Sequence, residues 1–369
     1  MRWLLLMLAL LLSACESQQP ATGPAVDVNQ VMGAQPDPGF ARAIEPRAFE
    51  FPQDYGAHPD YATEWWYLTG NLRSESGRRF GYQVTLFRVG LRPGEAAQDS
   101  AWRANQIYMG HIAISDIDGN RHVSAERFAR AAAGLAGARA APFDVWLDDW
   151  SLRGSAGLFP LTVAAQNQDI ALSLQLTAGD KPLVLQGDQG LSRKSAAPGN
   201  ASYYYSFTRL PTRGELRIGD KRYSVQGDSW MDREWSSSAL DKDQAGWDWF
   251  ALQLDDGRDL MFYRLRNKQG GMHPFSRGSL VEKDGRVHTL LPNQVKLTPK
   301  RYWQAADGTR YPVGWRLEVP GYGLDLEVQA LLDDQLIDHS VHYWEGAVGV
   351  SGSQRGRGYL ELSGYADRL

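Results

Sequence analysis

The 369-residue sequence has one cysteine, no run of basic residues and few helical periodicities. A single cysteine excludes an internal disulfide, so stability has to come from packing, and a chain this long can bury cores for two domains. A net charge of −4 with no basic patch excludes nucleic acid as the main partner. Common chemical signatures are lacking as well. The nearest approach to a G-x-S-x-G elbow, Gly227 to Met231 (GDSWM), lacks its final glycine. There is no H-E-x-x-H helix, no P-loop and no glycine fingerprint for a dinucleotide, so neither a hydrolase nor a cofactor is supported. The seven histidines are scattered, and His339 and His342, three apart in an expected strand, point to opposite faces. No metal site is expected.

The one cysteine is placed where it has a use. Arg2 precedes nine apolar residues, Leu4 to Leu12, too few to span a bilayer as a mature helix. The segment ends in LSAC, which resembles a bacterial lipobox with Cys15 as the lipidated residue. Residues 1–15 therefore read as a lipoprotein signal peptide and 16–45, rich in Pro, Gly and Gln, as a flexible tether. More than one acyl chain on Cys15 would anchor the protein firmly to a membrane. Glu16 follows where inner-membrane retention favours Asp, so a periplasm-facing lipoprotein of the outer membrane is expected.

Thirteen Trp, sixteen Tyr and 38 Gly, in short alternating runs, point to an all-β fold. In EWWYLTGNL, Glu64, Trp66, Leu68 and Leu72 share one face, and Phe80, Tyr82, Val84, Leu86 and Arg88 share one face of the next run. Pairing Leu72 with Phe80 sets Glu64 opposite Arg88 on the inner side of this hairpin. Ser124 to Ala141 is the best helix candidate, alanine-rich with Ser124 as a cap. The polar stretch Gly187 to Asn200 suits a junction, dividing the body into domains 46–200 and 201–369. In the second, WDWFALQL and DLMFYRLR flank Asp256-Gly257, expected as a two-residue turn that sets Trp249 opposite Arg264 and Trp247 opposite Arg266. Such strands without intervening helices imply meander barrels or sandwiches.

What remains for chemistry is acids among aromatics: Glu64 beside Trp65 and Trp66, Asp232 and Glu234 between Trp230 and Trp235, and Asp248 between Trp247 and Trp249. A buried carboxyl has a raised pKa and can donate a proton near neutrality, while aromatic faces hold an apolar ligand and steady a developing cation. The competing role is a clamp, in which an inward carboxylate pairs with an arginine such as Arg88. Arg233 should point away from Glu234's side of its strand. Asp232 and Glu234 are the catalytic candidates. Glu64, Trp66, Trp230, Trp235, Trp247, Trp249 and Tyr263 are the ligand-binding candidates.

Five stretches carry a resemblance: EWWYLTGNL with FGYQVTLFR, then GHIAISD, GDSWMDREWSS, GWDWFALQLDDG and the closing YWEGAVGVSG with GYLELSGY. Together they resemble the AttH/CrtC lipocalin-like family, which includes hydroxyneurosporene synthase (carotenoid 1,2-hydratase), over about residues 50 to 369. The resemblance implies two consecutive lipocalin-like antiparallel β-barrel domains. Where the family commonly reads D-H-E-W, this chain has Asp232-Arg233-Glu234-Trp235. The leading expectation is an envelope lipoprotein that binds an apolar or amphipathic small molecule, with an ABC-type transporter as partner by resemblance. The first alternative is a cofactor-free hydratase or isomerase working by carboxylic acid proton transfer. The second is a structural envelope adaptor.

Overall fold

The computed structural model describes residues 26–27, 38–94, 100–155, 157–238 and 240–366. Cys15, the signal segment and most of the tether lie outside the described residues. The tether's last part is already packed, with Phe40 and Ala43 buried.

The chain is all β and forms two sheets. In spatial order the first runs from Arg121–Arg130 through Gln106–Asp116, Arg79–Gly90 and Thr63–Ser74 to the long strands Lys221–Ser236 and Ala201–Ile218. It continues through Ile170–Leu176, Leu161–Gln166, Trp150–Gly154 and Phe143–Leu147 to Ala136–Ala140. Its two ends meet, the Arg127 guanidinium lying 4.9 Å from the Trp150 ring, so this sheet is a nearly closed barrel. The second sheet, a curled half-barrel, centres on Gln244–Leu254, Asp259–Asn267, Gly356–Leu362 and Val341–Gly352.

Strand alternation explains why two separate cores form. In Thr63–Ser74 the even residues Trp66, Leu68 and Leu72 pack with Phe80, Tyr82, Val84 and Leu86 inside the first barrel. The odd residues Trp65 and Tyr67 face the other way, toward the second sheet. The second sheet repeats the device. Phe250, Leu252 and Trp315 fill its own concave side, while Trp249, Ala251 and Tyr263 face the first sheet. Leu72 pairs with Phe80 and Glu64 with Arg88, as expected.

Three sequence expectations differ from the structure. The alanine-rich stretch after Ser124 is not a helix but the strands Arg121–Arg130 and Ala136–Ala140. Alanine's helix preference is a weak prior, and a full ladder to Gln106–Asp116 outweighs it, with a turn at Gly134 (φ +74°). The hairpin of the second half turns through Asp255-Asp256-Gly257, one residue longer than expected. The Leu254 N–H bonds the Arg258 carbonyl, and Gly257 takes φ +91°, the glycine position of a three-residue loop. That extra residue slips the register by one and flips every side chain. Arg264 therefore stands opposite Asp248 rather than Trp249, and its guanidinium lies 4.9 Å from the Trp315 ring. Arg266 pairs with Gly246 rather than Trp247 and sits 3.8 Å from the Tyr365 ring. Finally, both long strands between Ala201 and Ser236 belong to the first sheet, and the chain crosses to the second between Ser236 and Gln244. The polar stretch before Ala201 is a border segment whose short strand Leu191–Arg193 pairs with Ala201–Ile218.

A cavity between the two sheets

The face each barrel turns away from its own core is lined with aromatics, and where the two faces meet they leave a cavity of about 130 Å3. One buried water needs only about 10–15 Å3, so this space suits an organic molecule. Its apolar wall is formed by Trp65, Phe87, Leu240, Trp247, Trp249 and Leu265. Asp232, Glu234, Glu345, Glu361 and Lys194 supply its charged and acidic groups.

Asp232 and Glu234 arrive together because residues two apart on a strand share a face. Asp232 is buried and held by neutral donors. Ser206 donates to Oδ1 at 2.6 Å, the Trp230 indole N–H to the same oxygen at 2.7 Å, and the Tyr204 hydroxyl to Oδ2. The Trp249 N–H in turn donates to the Tyr204 hydroxyl at 3.2 Å. Burial pushes the Asp232 pKa up to about 7, and the Ser206, Tyr204 and Trp230 hydrogen bonds only partly oppose it. Glu234 has a different setting. Lys194 Nζ lies 3.0 Å from its Oε1, which also accepts from Ser202. Lys194 Nζ sits 4.4 Å from the centre of the Tyr263 ring.

The structure divides the sequence candidates by face. Asp232, Glu234, Trp247, Trp249 and Tyr263 all line the cavity. Trp230 supports Asp232 through its indole N–H without lining the cavity. Glu64, Trp66 and Trp235 are not brought to it, because their parity on the strands directs them to the opposite side. Glu64 is a clamp there: Arg88 Nε donates to Oε1 and Arg233 Nη2 to Oε2 at 2.5 Å, with all three side chains fully buried. Arg233 thus turns away from Glu234 and lies 3.9 Å from the Trp66 ring, while Trp235 stacks on His58 at 3.8 Å. Asp248 is likewise a clamp, 2.6 Å from Arg264 Nε, with Tyr365 donating to it at 2.7 Å. His339 and His342 stay apart, bonded to Ser124 and to Tyr311 and Asp338. Among the described residues, no three His, Cys, Asp or Glu side chains are placed to hold a metal ion.

Sequence reasoning missed Glu345, Glu361, Lys194, Tyr67, Tyr204 and Tyr343. The signal for Glu345 was present, since it follows Trp344 as another acid beside a tryptophan. Its partnership with Glu361 depends on the register of the last hairpin, which sets the two carboxylates opposite each other.

Two lipocalin-like β domains sharing an acid-lined cavity between their sheets define the class of protein. The chain belongs to the AttH-like family, whose model matches residues 42–365. It is 35% identical to an AttH of Nitrosomonas europaea, whose solved structure matches with a TM-score of 0.78 over 89% of this chain and 100% of that one. Kievitone hydratase from Nectria haematococca shares the fold at a TM-score of 0.66 and 14% identity, over 90% of this chain and 98% of that one. CghA, solved with Sch210972, does so at 0.55 and 16% identity, over 93% and 99%. In sequence, kievitone hydratase of Fusarium solani subsp. phaseoli is 25% identical over 142 residues, a stretch covering 37% of this chain and 39% of that protein.

Proposed function

We propose that the protein is a cofactor-free hydratase acting on an apolar or amphipathic small molecule. The observation that carries this reading is Asp232: a carboxyl with a pKa of about 7, held by neutral donors in an indole-walled cavity. A protein that merely joins others has no use for a desolvated acid facing an organic-sized space. Perturbed carboxyls in clefts are the usual mark of acid–base chemistry. Similarity to proteins named for hydrating kievitone supports the hydratase over the carrier reading with its ABC-type transporter partner.

In the proposed reaction the Asp232 O–H bond breaks and its proton adds to one carbon of an alkene. The neighbouring carbon becomes cationic and is stabilised by the faces of Trp65, Trp247 and Trp249. A water oxygen bonds to that carbon and gives up its proton to the Glu234 carboxylate, whose Oε1 lies 3.0 Å from Lys194 Nζ. Return of one proton from Glu234 to Asp232 resets the site, and the net change is alkene plus water to alcohol. The test is incubation of the purified protein with kievitone and other alkenes bearing a polar ring, in water enriched in heavy oxygen. The expected product carries one heavy oxygen on the former alkene carbon. Tight binding of these molecules with no product would instead mean a carrier.

The envelope location is proposed from the leader and Cys15. Cys15→Ser is expected to free the protein from the membrane fraction or leave it unprocessed. Normal processing and anchoring of that variant would contradict the lipid anchor.

A further inference from the structure

The cavity contains two acids that the mechanism above leaves idle, Glu345 and Glu361. Glu345 is buried on the cavity side of strand Val341–Gly352. Its partner across the ladder is Glu361 on Gly356–Leu362, and two carboxylates directly opposite each other resist joint ionisation. Tyr67 donates to Glu345 Oε1 at 2.5 Å, whereas Oε2 is buried without a hydrogen-bond partner. The titratable groups acting on Glu345 are Glu361, Tyr67, Tyr343 and Tyr359, none of them a cation. Burial first, then Glu361, holds its carboxyl well above the usual range.

From Glu345 a line of polar groups leads out of the cavity. Tyr343 is two residues earlier on the same strand and face, and it lines the cavity beside Glu345. The same hydroxyl is 2.9 Å from His111 Nδ1, and the two rings stack at 5.6 Å. His111 is fully buried. Its Nε2 is 2.9 Å from Glu126 Oε1, and Glu126, on strand Arg121–Arg130, reaches solvent with 14% of its side chain exposed. Ser340 donates to the other Glu126 oxygen at 2.6 Å. An imidazole engaged at both nitrogens can accept a proton at one while releasing one at the other.

We infer that Glu345 is a second proton donor of the cavity, and that Tyr343, His111 and Glu126 are the path along which it exchanges its proton with solvent. A proton taken up by Glu126 passes to His111 Nε2. The Nδ1 proton moves to the Tyr343 oxygen, and the Tyr343 hydroxyl proton moves to the Glu345 carboxylate. Each step breaks one O–H or N–H bond and forms another, so one proton enters for each one Glu345 delivers. With a substrate filling the cavity, this route stays open when direct access by water is closed. The use of that proton rests on the hydratase reading, but the path does not.

Infrared spectroscopy of the full chain tests it with deuterium oxide as the only probe. The wild-type protein at neutral pH is expected to show, besides the Asp232 contribution, a protonated-carboxyl band that is missing in Glu345→Gln. On mixing into deuterium oxide that band should shift severalfold more slowly in Tyr343→Phe, and also in Glu126→Gln. The Glu126→Gln change sits at the solvent end of the path, keeps an acceptor for His111 and leaves the cavity untouched. A wild-type spectrum without the band, or equally fast deuteration in both variants, would overturn the inference. A protein that hydrates no alkene yet gives the expected spectra would refute the hydratase reading and leave the proton path standing.

Discussion

Asp232→Asn is expected to lower turnover by roughly 10²–10⁴-fold, the usual contribution of a positioned general acid, while the protein stays folded. Asparagine keeps the shape of the side chain and one acceptor for Ser206, Tyr204 or Trp230, but it has no acidic proton. Activity of the wild-type protein should fall as pH rises through about 7, where Asp232 ionises. Stability should move with it. A carboxyl whose folded pKa is raised stabilises the fold fully below its unfolded pKa of about 3.9, and that contribution is lost as pH rises through the folded value. The window is therefore about 4 to 7, and across it Asp232→Asn should gain on the wild type by on the order of 4 kcal/mol. Urea unfolding at a series of pH values measures this difference. A constant difference across the window would mean that Asp232 is ionised throughout.

Glu64→Gln should have the opposite profile: a large loss of stability and no specific loss of chemistry. Glu64 joins Arg88 and Arg233, both fully buried, and also accepts from the His58 backbone N–H at 2.9 Å. Breaking a buried pair by removing one partner costs about 3–5 kcal/mol, because the remaining charge stays desolvated. Here two guanidinium groups would be left. Burial alone would raise the Glu64 pKa, but Arg88, Arg233 and His58 together hold it well below the carboxylate range. A depressed pKa gives stability that is present above the unfolded value of about 4.3 and lost as pH falls below it. The variant should thus lose its disadvantage in acid. Denaturant melts at neutral and acid pH check this, and a neutral-pH loss under about 1 kcal/mol would mean a solvated pair of little worth.

These two carboxylates looked alike in the sequence, each an acid beside tryptophan, yet they lie on opposite faces of paired strands. Parity along a strand was legible: it set Glu64 against Arg88 and turned Arg233 away from Glu234. The identity of each face was not. Trp65 and Trp66 are both large and apolar, and nothing local says which faces a barrel interior and which faces a second sheet. The loop at Asp255 to Gly257 shows how little separates a right register from a wrong one, since one residue moved Arg264 from an indole to Asp248. The pairing of Glu345 with Glu361 was hidden for the same reason. His111 and Tyr343 are 232 positions apart, so their contact is a product of the two sheets packing and leaves no trace in spacing. The helix expected after Ser124 failed because local preference was weighed without the neighbouring strand that outbids it.

Asp232 is expected to hold its proton up to about pH 7 while facing a substrate-sized space. Nuclear magnetic resonance of the full protein, with aspartate labelled at its carboxyl carbon and the Asp232 signal assigned by its absence in Asp232→Asn, measures this directly. The expected result is a midpoint near 7, moving upward when an apolar ligand displaces water from the cavity. A midpoint near the ordinary value of about 3.9 would contradict it, and Asp232 would then be one more hydrogen-bonded carboxylate of the sheet interface.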